Sequence, residues 1–400
     1  MATPLEGIRV VDWTIWQQGP FCSVMLADLG AEVIKIEERE SGDPGRGLVR
    51  ASGIDGPEFY FEANNRNKKS ITLDLKQPDA REIVYRLIAK SDVLVQNFRK
   101  GVAQRLGLDY ATLRSHNPKL IYASASGYGP EGPDSGEPSF DLLGLARSGI
   151  MQAVGEPDMP PLGIAGGVAD QMGGIMLAYG VLAALVARER LGVGQQVDAS
   201  HLGSMTVLQG LSLSSRLANG SAFLRTARAR SFNPLWNYYR CEDGSWIALA
   251  MIQSDRYWPD FCRALGRPEL ATDERFSDQQ VRGANCEAAI AIIDEVFATK
   301  PRDEWLRILA DAGDMIYTVV NRVDDLPDDP QVRANNYVVD FEHPEHGKTQ
   351  VLGVPVRLSE TPGQVRMPAP QLGQHTEEIL LDLLGYKWEQ ITDLRRRAVI

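Results

Sequence analysis

The sequence predicts an α/β protein with a mostly parallel, doubly wound sheet, and two observations carry that expectation. Compact apolar runs alternate with helical stretches through the first third of the chain. Strands joined by helical crossovers make a mostly parallel, doubly wound sheet. At 400 residues the chain also exceeds one simple core, which implies a second domain, inserted in or following the first.

Taken in order, Ile8–Asp12 (IRVVD) is a buried strand and Gly19–Leu29 a helix stopped by Gly30. Glu32–Glu37 (EVIKIE) is the second strand and Lys69–Leu75 (KSITLDL) the third. Pro78–Ala89 is a helix opened by its proline, and Val93–Gln96 (VLVQ) is the fourth strand. Helical stretches over Val102–Arg105 and Tyr110–Ser115 lead to a fifth strand, Leu120–Ser124 (LIYAS). In such sheets ligands sit beyond the carboxyl ends of the strands. The loops there are Thr14–Pro20, Arg39–Arg46, Asn97–Gly101 and Gly127–Ser135. Helices are expected around Gly174–Arg190 and over Gln196–Ser215, after which the pattern changes. Asn233–Tyr239 and Trp246–Met251 look like strands, followed by helices at Arg256–Leu265, Cys286–Ala298 and Arg302–Ala312. Pro327–Pro330 and Arg333–Tyr337 form a polar linker. Strands at Tyr337–Phe341 and Val351–Leu358 and a final helix, Glu377–Leu384, close the chain.

A net charge of −11 argues against a nucleic-acid partner, which needs a broad basic face. The four cysteines lack CxxC spacing, which gives neither a zinc site nor a disulfide framework and fits a cytoplasmic location. The opening MATPLEGIRVVDWT lacks the basic and apolar regions of a signal peptide. The longest uncharged run, Gln171–Ala187, is short for a bilayer and broken by glycines, so a buried helix is expected and no membrane partner.

Within Met159–Ala187 the one charged residue is Asp170. An ionised carboxylate left unpaired in such surroundings costs several kcal/mol, so it has either a partner or a chemical role. Gly166, Gly167, Gly173 and Gly174 flank it, and glycines let backbone N–H groups approach a ligand. An N-cap and a nucleophile are equally compatible with the spacing, and a helix N-terminus favours the ionised form in both cases.

Other motifs carry less. Gly127-Tyr-Gly-Pro-Glu-Gly132 matches GxGxxG, but Pro130 and Pro133 block the helix a dinucleotide site requires. The sequence lacks GxxxxGK[ST], HExxH and GxSxG, and its five histidines are scattered, so no metal site is expected. Basic residues cluster at Arg66, Lys68 and Lys69 and at Arg99, Lys100 and Arg105. They read as solvated faces or as grips for an anionic ligand at the sheet's carboxyl edge.

Six segments in order resemble one family. They are Asp12–Pro20, Ala27–Glu37 with Ser41-Gly-Asp43, Asn67–Lys76, Val95–Phe98 with Arg105-Leu-Gly107, Ala169-Asp170 with Gly192–Asp198, and Leu372–Glu377. Together they resemble the class III CoA-transferases of the formyl-CoA and carnitine type, which are related to the α-methylacyl-CoA racemases. The resemblance implies a Rossmann-like large domain completed by the C-terminal segment, a smaller α+β domain, and an interlocked homodimer, with a heteromer of homologous subunits as the alternative assembly. The implied division is 1–200 for the N-terminal, CoA-binding part of the large domain, 201–230 for linker helices and 231–325 for the small domain. A second linker covers 326–345, and 346–400 returns to the large domain.

The same resemblance makes Asp170 the nucleophile. Its carboxylate attacks a donor acyl-CoA thioester, the CoA thiolate returns to the mixed anhydride, and CoA remains on Asp170 as a thioester for transfer to an acceptor carboxylic acid. Gln17 matches a glutamine beside the reacting carbonyl. Asn97 and Phe98 match the pantetheine and adenine path, Arg105 a phosphate contact, and Lys68, Lys69, Arg39 and Arg46 further CoA contacts. Gly127, Tyr128, Phe140 and Asp141 fall at substrate positions. No permanently bound cofactor is implied; CoA thioesters are substrates, with succinyl-CoA the donor expected on family grounds. The racemase branch needs a histidine where this chain has Phe140, which favours transfer over racemisation. An intramolecular CoA transfer and a non-catalytic subunit are the other readings. Ile15 and Trp16 point to an acid larger or more apolar than formate or oxalate.

Overall fold

A computed structural model describes residues 2–51, 53 and 58–400. The chain forms two compact units: Met1–Met151 with Gly163–Ser221 and Asp329–Ile400, and Gln152–Leu162 with Ala222–Asp328.

The larger unit is built on a parallel sheet of six strands: β1 (Arg9–Trp13), β2 (Glu32–Glu37), β3 (Lys68–Thr72), β4 (Val93–Gln96), β5 (Ile121–Ser126) and β6 (Gln196–Ser200). Their order across the sheet is β3-β2-β1-β4-β5-β6, with every pair parallel. The order reverses between β1 and β4, where the loops after the two strands part and leave a crevice. β2 and β4 coincide with the expected runs, β1 and β5 are shifted by one or two residues, and β3 starts one residue earlier and ends three residues earlier than expected.

β6 is a correction. Gln196–Ser215 was expected to be helical, but Gln-Val-Asp-Ala-Ser pairs with β5 as an edge strand and alternates in exposure. Its polar, half-exposed side chains give no apolar run. The helices α6 (His201–Leu208) and α7 (Gly210–Asn219) begin only after it.

Helices α1 (Gln18–Asp28), α2 (Pro78–Ile88), α3 (Tyr110–His116), α4 (Asp141–Ser148) and α5 (Val168–Leu191) belong to the same unit. With 24 residues, α5 is long and apolar enough to cross a membrane, unlike the shorter run expected. Its Leu177, Ala178, Val181, Ala184 and Leu185 nevertheless join the core against β1, β4 and β5. Close approach of α1 and α5 rests on glycine: a Cβ on Gly173 would lie 2.5 Å from Gln18 Nε2, and one on Gly174 2.9 Å from the Gln18 carbonyl.

The C-terminal segment covers the β3 edge. His375 N donates to the Ser70 carbonyl (2.9 Å), Gly373 N to Ser70 Oγ (2.9 Å) and Thr72 N to Thr376 Oγ1 (3.2 Å). That removes an open strand edge. Ile379, Leu380, Ile391, Leu394 and Val399 then enter the core beside β3 and α2. The last helix is Trp388–Arg396; the expected Glu377–Leu384 is a short helical turn running into a π-helical one.

A buried charge network joins β1, β2, the start of β3 and the loop after β2. Lys68 Nζ pairs with Asp12 Oδ2 at 2.8 Å, and Lys35 Nζ with Asp43 Oδ2 at 2.8 Å, all four side chains essentially inaccessible. Burial opposes a charged Asp12, but Lys35 and Lys68, with hydrogen bonds from Lys68 and Ser23, prevail and bring its pKa down to about 2. A carboxylate whose folded pKa lies below its unfolded value near ~3.9 stabilises the fold above that value. The contribution is lost as pH falls from about 4 through about 2. Glu37, lowered in the same direction by Arg46, Lys35 and Ser70 against its burial, adds to the effect. Urea unfolding midpoints should therefore drop steeply across that interval and little between pH 7 and 5; a flat acid limb would contradict the network.

The smaller unit has an antiparallel sheet of β7 (Trp236–Arg240), β8 (Trp246–Ala250) and β9 (Tyr317–Val319), packed by helices Ser254–Ala264, Cys286–Phe297 and Arg302–Asp311. Trp258, Phe261, Phe276, Phe297 and Trp305 fill its core.

Candidate active site

Asp170 is the third residue of α5. It does not cap the helix. Asp141, at the start of α4, supplies the cap: its Oδ1 accepts from Ala169 N (2.6 Å) and Asp170 N (3.2 Å). The helix N-terminus is satisfied by another carboxylate, which leaves the Asp170 side chain free in a position where the helix dipole favours its anion. Asp170 Oδ1 instead meets His201 Nε2 at 2.8 Å, and that carboxyl is partly open to a cleft. Here is the partner that the apolar run around Asp170 demanded.

The cleft, about 300 Å³, is lined by Ile15, Trp16, Gln18, Asn97–Lys100, Val102, Ala125–Gly127, Ser135, Glu137, Ser139, Phe140, Asp170 and His201. It sits at the switch point of the sheet, over the ends of β1, β4 and β5. The Thr14–Gln17 turn forms one wall and is pinned at each step. Lys35 Nζ donates to the Thr14 carbonyl (2.9 Å), Asn97 brackets Ile15 through its N–H (2.9 Å) and carbonyl (2.7 Å), and Trp16 N donates to Asp43 Oδ1 (3.1 Å). Trp16 is held at φ +65°, a left-handed conformation that costs a bulky residue ~1–2 kcal/mol. Its ring meets Phe140 edge-on at 6.1 Å. Gln17 is buried against the start of α5, where a Cβ on Gly167 would lie 2.3 Å from its Nε2. Only glycine admits that contact.

Of the residues expected at the site, Asp170, Asn97, Phe98, Gly127 and Phe140 line one cleft, with Gln17 and Asp141 packed at the start of α5 behind it. Tyr128 lies beside them under the Arg147 guanidinium, 6.0 Å from its ring centre. Lys68 is not available to a ligand. Its ammonium is inaccessible, and its three protons are committed to Asp12, the Pro20 carbonyl (2.9 Å) and Asn65 Oδ1 (2.9 Å). Lys69 points to the opposite side of β3 and pairs with Glu32 (3.1 Å) and Glu378 (2.7 Å). Arg46 is engaged in a bidentate pair with Glu37.

A second cleft of about 390 Å³ lies over the ends of β1 to β3 and shares Ile15, Phe98 and Val102 with the first. Lys76 lines it, as do Glu38 and Ser41 on either side of Arg39, and Val102 and Leu106 from the helical turn that carries the exposed Arg105. Phe98, packed on Trp13 at 4.4 Å between ring centres, separates the two clefts.

A family model described as CoA-transferase family III matches residues 5–376. The chain belongs to that family. It is 33% identical over 401 residues, 99% of each chain, to the (R)-2-hydroxy-4-methylpentanoate CoA-transferase of Clostridioides difficile. It is also 33% identical to the succinyl-CoA–D-citramalate CoA-transferase of Chloroflexus aurantiacus, over 99% of this chain and 98% of the relative. A CAIB/BAIF family protein from Brucella suis shares the fold, with a TM-score of 0.85 and 32% identity over 96% of this chain and all of that one.

One residue of this CoA-transferase's candidate site escaped the sequence reading. His201 was one of five scattered histidines, and 31 residues separate it from Asp170; only the pairing of β6 with β5 brings it there. A two-base racemase needs its bases on opposite faces of an α-carbon. Asp170 and His201 are in direct contact, which places them on one side.

Proposed function

We propose that this enzyme moves CoA from an acyl-CoA donor, with succinyl-CoA the first to be tried, to a carboxylic acid through an aspartyl-CoA thioester on Asp170. The carrying observation is that Asp141 takes the capping duty at α5, so the Asp170 carboxylate is not spent on the cap and faces the cleft, with Oδ1 held by His201. Gln17, fixed by Gly167, stands beside it as a donor to the reacting carbonyl. The pantetheine arm runs past Phe98 toward the cleft over β1 to β3. There Lys76, which lines the cleft, meets the phosphates in place of Lys68 and Lys69, with the exposed Arg105 and the Glu40-paired Arg39 on segments that border it.

Ile15, Trp16 and Phe140 give the acyl end apolar surface, which suits an acid with a carbon chain better than formate or oxalate. The names of two relatives, for (R)-2-hydroxy-4-methylpentanoate and for succinyl-CoA with D-citramalate, fit that surface, whereas a relative 35% identical over 89% of this chain is named for oxalate. Helix α7 buries no residue and exposes Leu211 and Leu217, which supports a second copy of the chain covering it.

The test is acceptor dependence. Purified enzyme with succinyl-CoA and a panel of branched and hydroxylated acids should form the new acyl-CoA only when an acid is added. The α-proton of the donor should not exchange with deuterated solvent. Exchange without any requirement for an acceptor would replace this reading with racemisation.

A further inference from the structure

We propose that His201 is a catalytic residue: its Nε2–H is the oxyanion donor for attack on the aspartyl carbonyl, a step separate from attack on the donor thioester. This rests on the aspartyl-CoA reading above and adds a division of labour within it.

The tautomer follows from the partners. An ionised Asp170 carboxylate only accepts, so the contact at 2.8 Å requires the proton on Nε2. Nδ1 faces Ser139 Oγ at 3.2 Å, a hydroxyl that can donate to it or accept from it. The ring is buried and clamped. Ser200 Oγ caps α6 through Gly203 N (3.0 Å), which sets His201 at the first helical position. A Cβ on Gly144 would lie 2.7 Å from the Cβ of His201 and 2.9 Å from that of Ala169, so α4, α5 and α6 meet there without slack.

The clamp makes the two Asp170 oxygens unequal. Oδ1 is held by His201, and Oδ2 remains the nucleophile. When Oδ2 attacks the donor thioester, the oxyanion forms on the donor carbonyl, away from His201, and the C–S bond breaks to release CoA thiolate. The mixed anhydride now has Oδ1 as its aspartyl carbonyl oxygen. Thiolate attack at Cγ pushes an electron pair onto Oδ1, directly against Nε2–H. Collapse restores the carbonyl and expels the donor carboxylate, which leaves with the bridging oxygen. Acceptor attack on the aspartyl thioester builds charge on Oδ1 again and expels CoA thiolate. An imidazole N–H already aligned on that oxygen needs no reorganisation as the charge grows.

The readout is the rate of CoA-adduct formation on Asp170, followed by intact mass after acid quench in a single turnover with succinyl-CoA. His201→Leu should form the adduct roughly 10²- to 10³-fold more slowly, the usual loss for one oxyanion donor. It should divert the anhydride to hydrolysis, so that free CoA and succinate appear without transfer. His201→Gln, which keeps a side-chain N–H, should recover most of the rate at unchanged KM for the donor. Wild-type adduct formation in His201→Leu, or a Gln variant as slow as Leu, would overturn the assignment and leave the aspartyl route standing. No adduct on the wild-type Asp170 would instead remove the aspartyl route itself.

Discussion

Asp170→Asn should lower CoA transfer by roughly 10⁴-fold or more while CoA binding persists, because the substitution removes the nucleophile and almost nothing else. The start of α5 is held by Asp141 through Ala169 N and Asp170 N, and both bonds are backbone donors that survive a change of side chain. The amide has nearly the volume of the carboxylate, so the cleft keeps its shape. It cannot attack a thioester at a useful rate. Asp170→Ala should behave alike in transfer and show the same affinity for CoA by calorimetry. Turnover close to normal in Asp170→Ala would end the covalent account.

The second large effect is on stability. Lys68→Met should cost about 3–5 kcal/mol, the loss typical of breaking a buried pair from one side. Asp12 would remain in the interior with Lys35 as its nearest cation, which is already engaged with Asp43 and the Thr14 carbonyl. Asn65 Oδ1 would also lose its Lys68 donor, and the Pro20 carbonyl would keep Ser23 Oγ but lose Lys68. Removing both charges together, in Asp12→Leu with Lys68→Met, should be less damaging than the sum of the single changes, because neither partner is then stranded. Urea unfolding of the three variants measures this; additive losses would contradict a coupled pair. Because the network also fixes Thr14 and Trp16, Lys68→Met should slow transfer as well as destabilise the fold.

The sheet was legible because its strands are local apolar runs, as at Glu32–Glu37 and Val93–Gln96, where the observed ends match the reading. Asp170 was visible for the complementary reason: a single charge in an apolar stretch has to be accounted for. β6 was not legible, since an edge strand of Gln-Val-Asp-Ala-Ser carries no apolar run. Lys68 misled because a basic pair in sequence looks like a solvated face. Its burial depends on Asn65 and on Asp12, which lies two strands away across the sheet. The roles of Asp141 and His201 depend on helix starts separated in sequence and brought together by tertiary packing, which residue spacing does not encode.

The most direct test is to trap the intermediate. Pure enzyme would be incubated with succinyl-CoA and a small panel of other acyl-CoAs, treated with hydroxylamine and digested, and the peptide containing Asp170 examined by mass spectrometry. A hydroxamate at Asp170, formed only with those donors that also support transfer, is the predicted result. An unmodified Asp170 peptide under a donor that the enzyme demonstrably turns over would contradict the account.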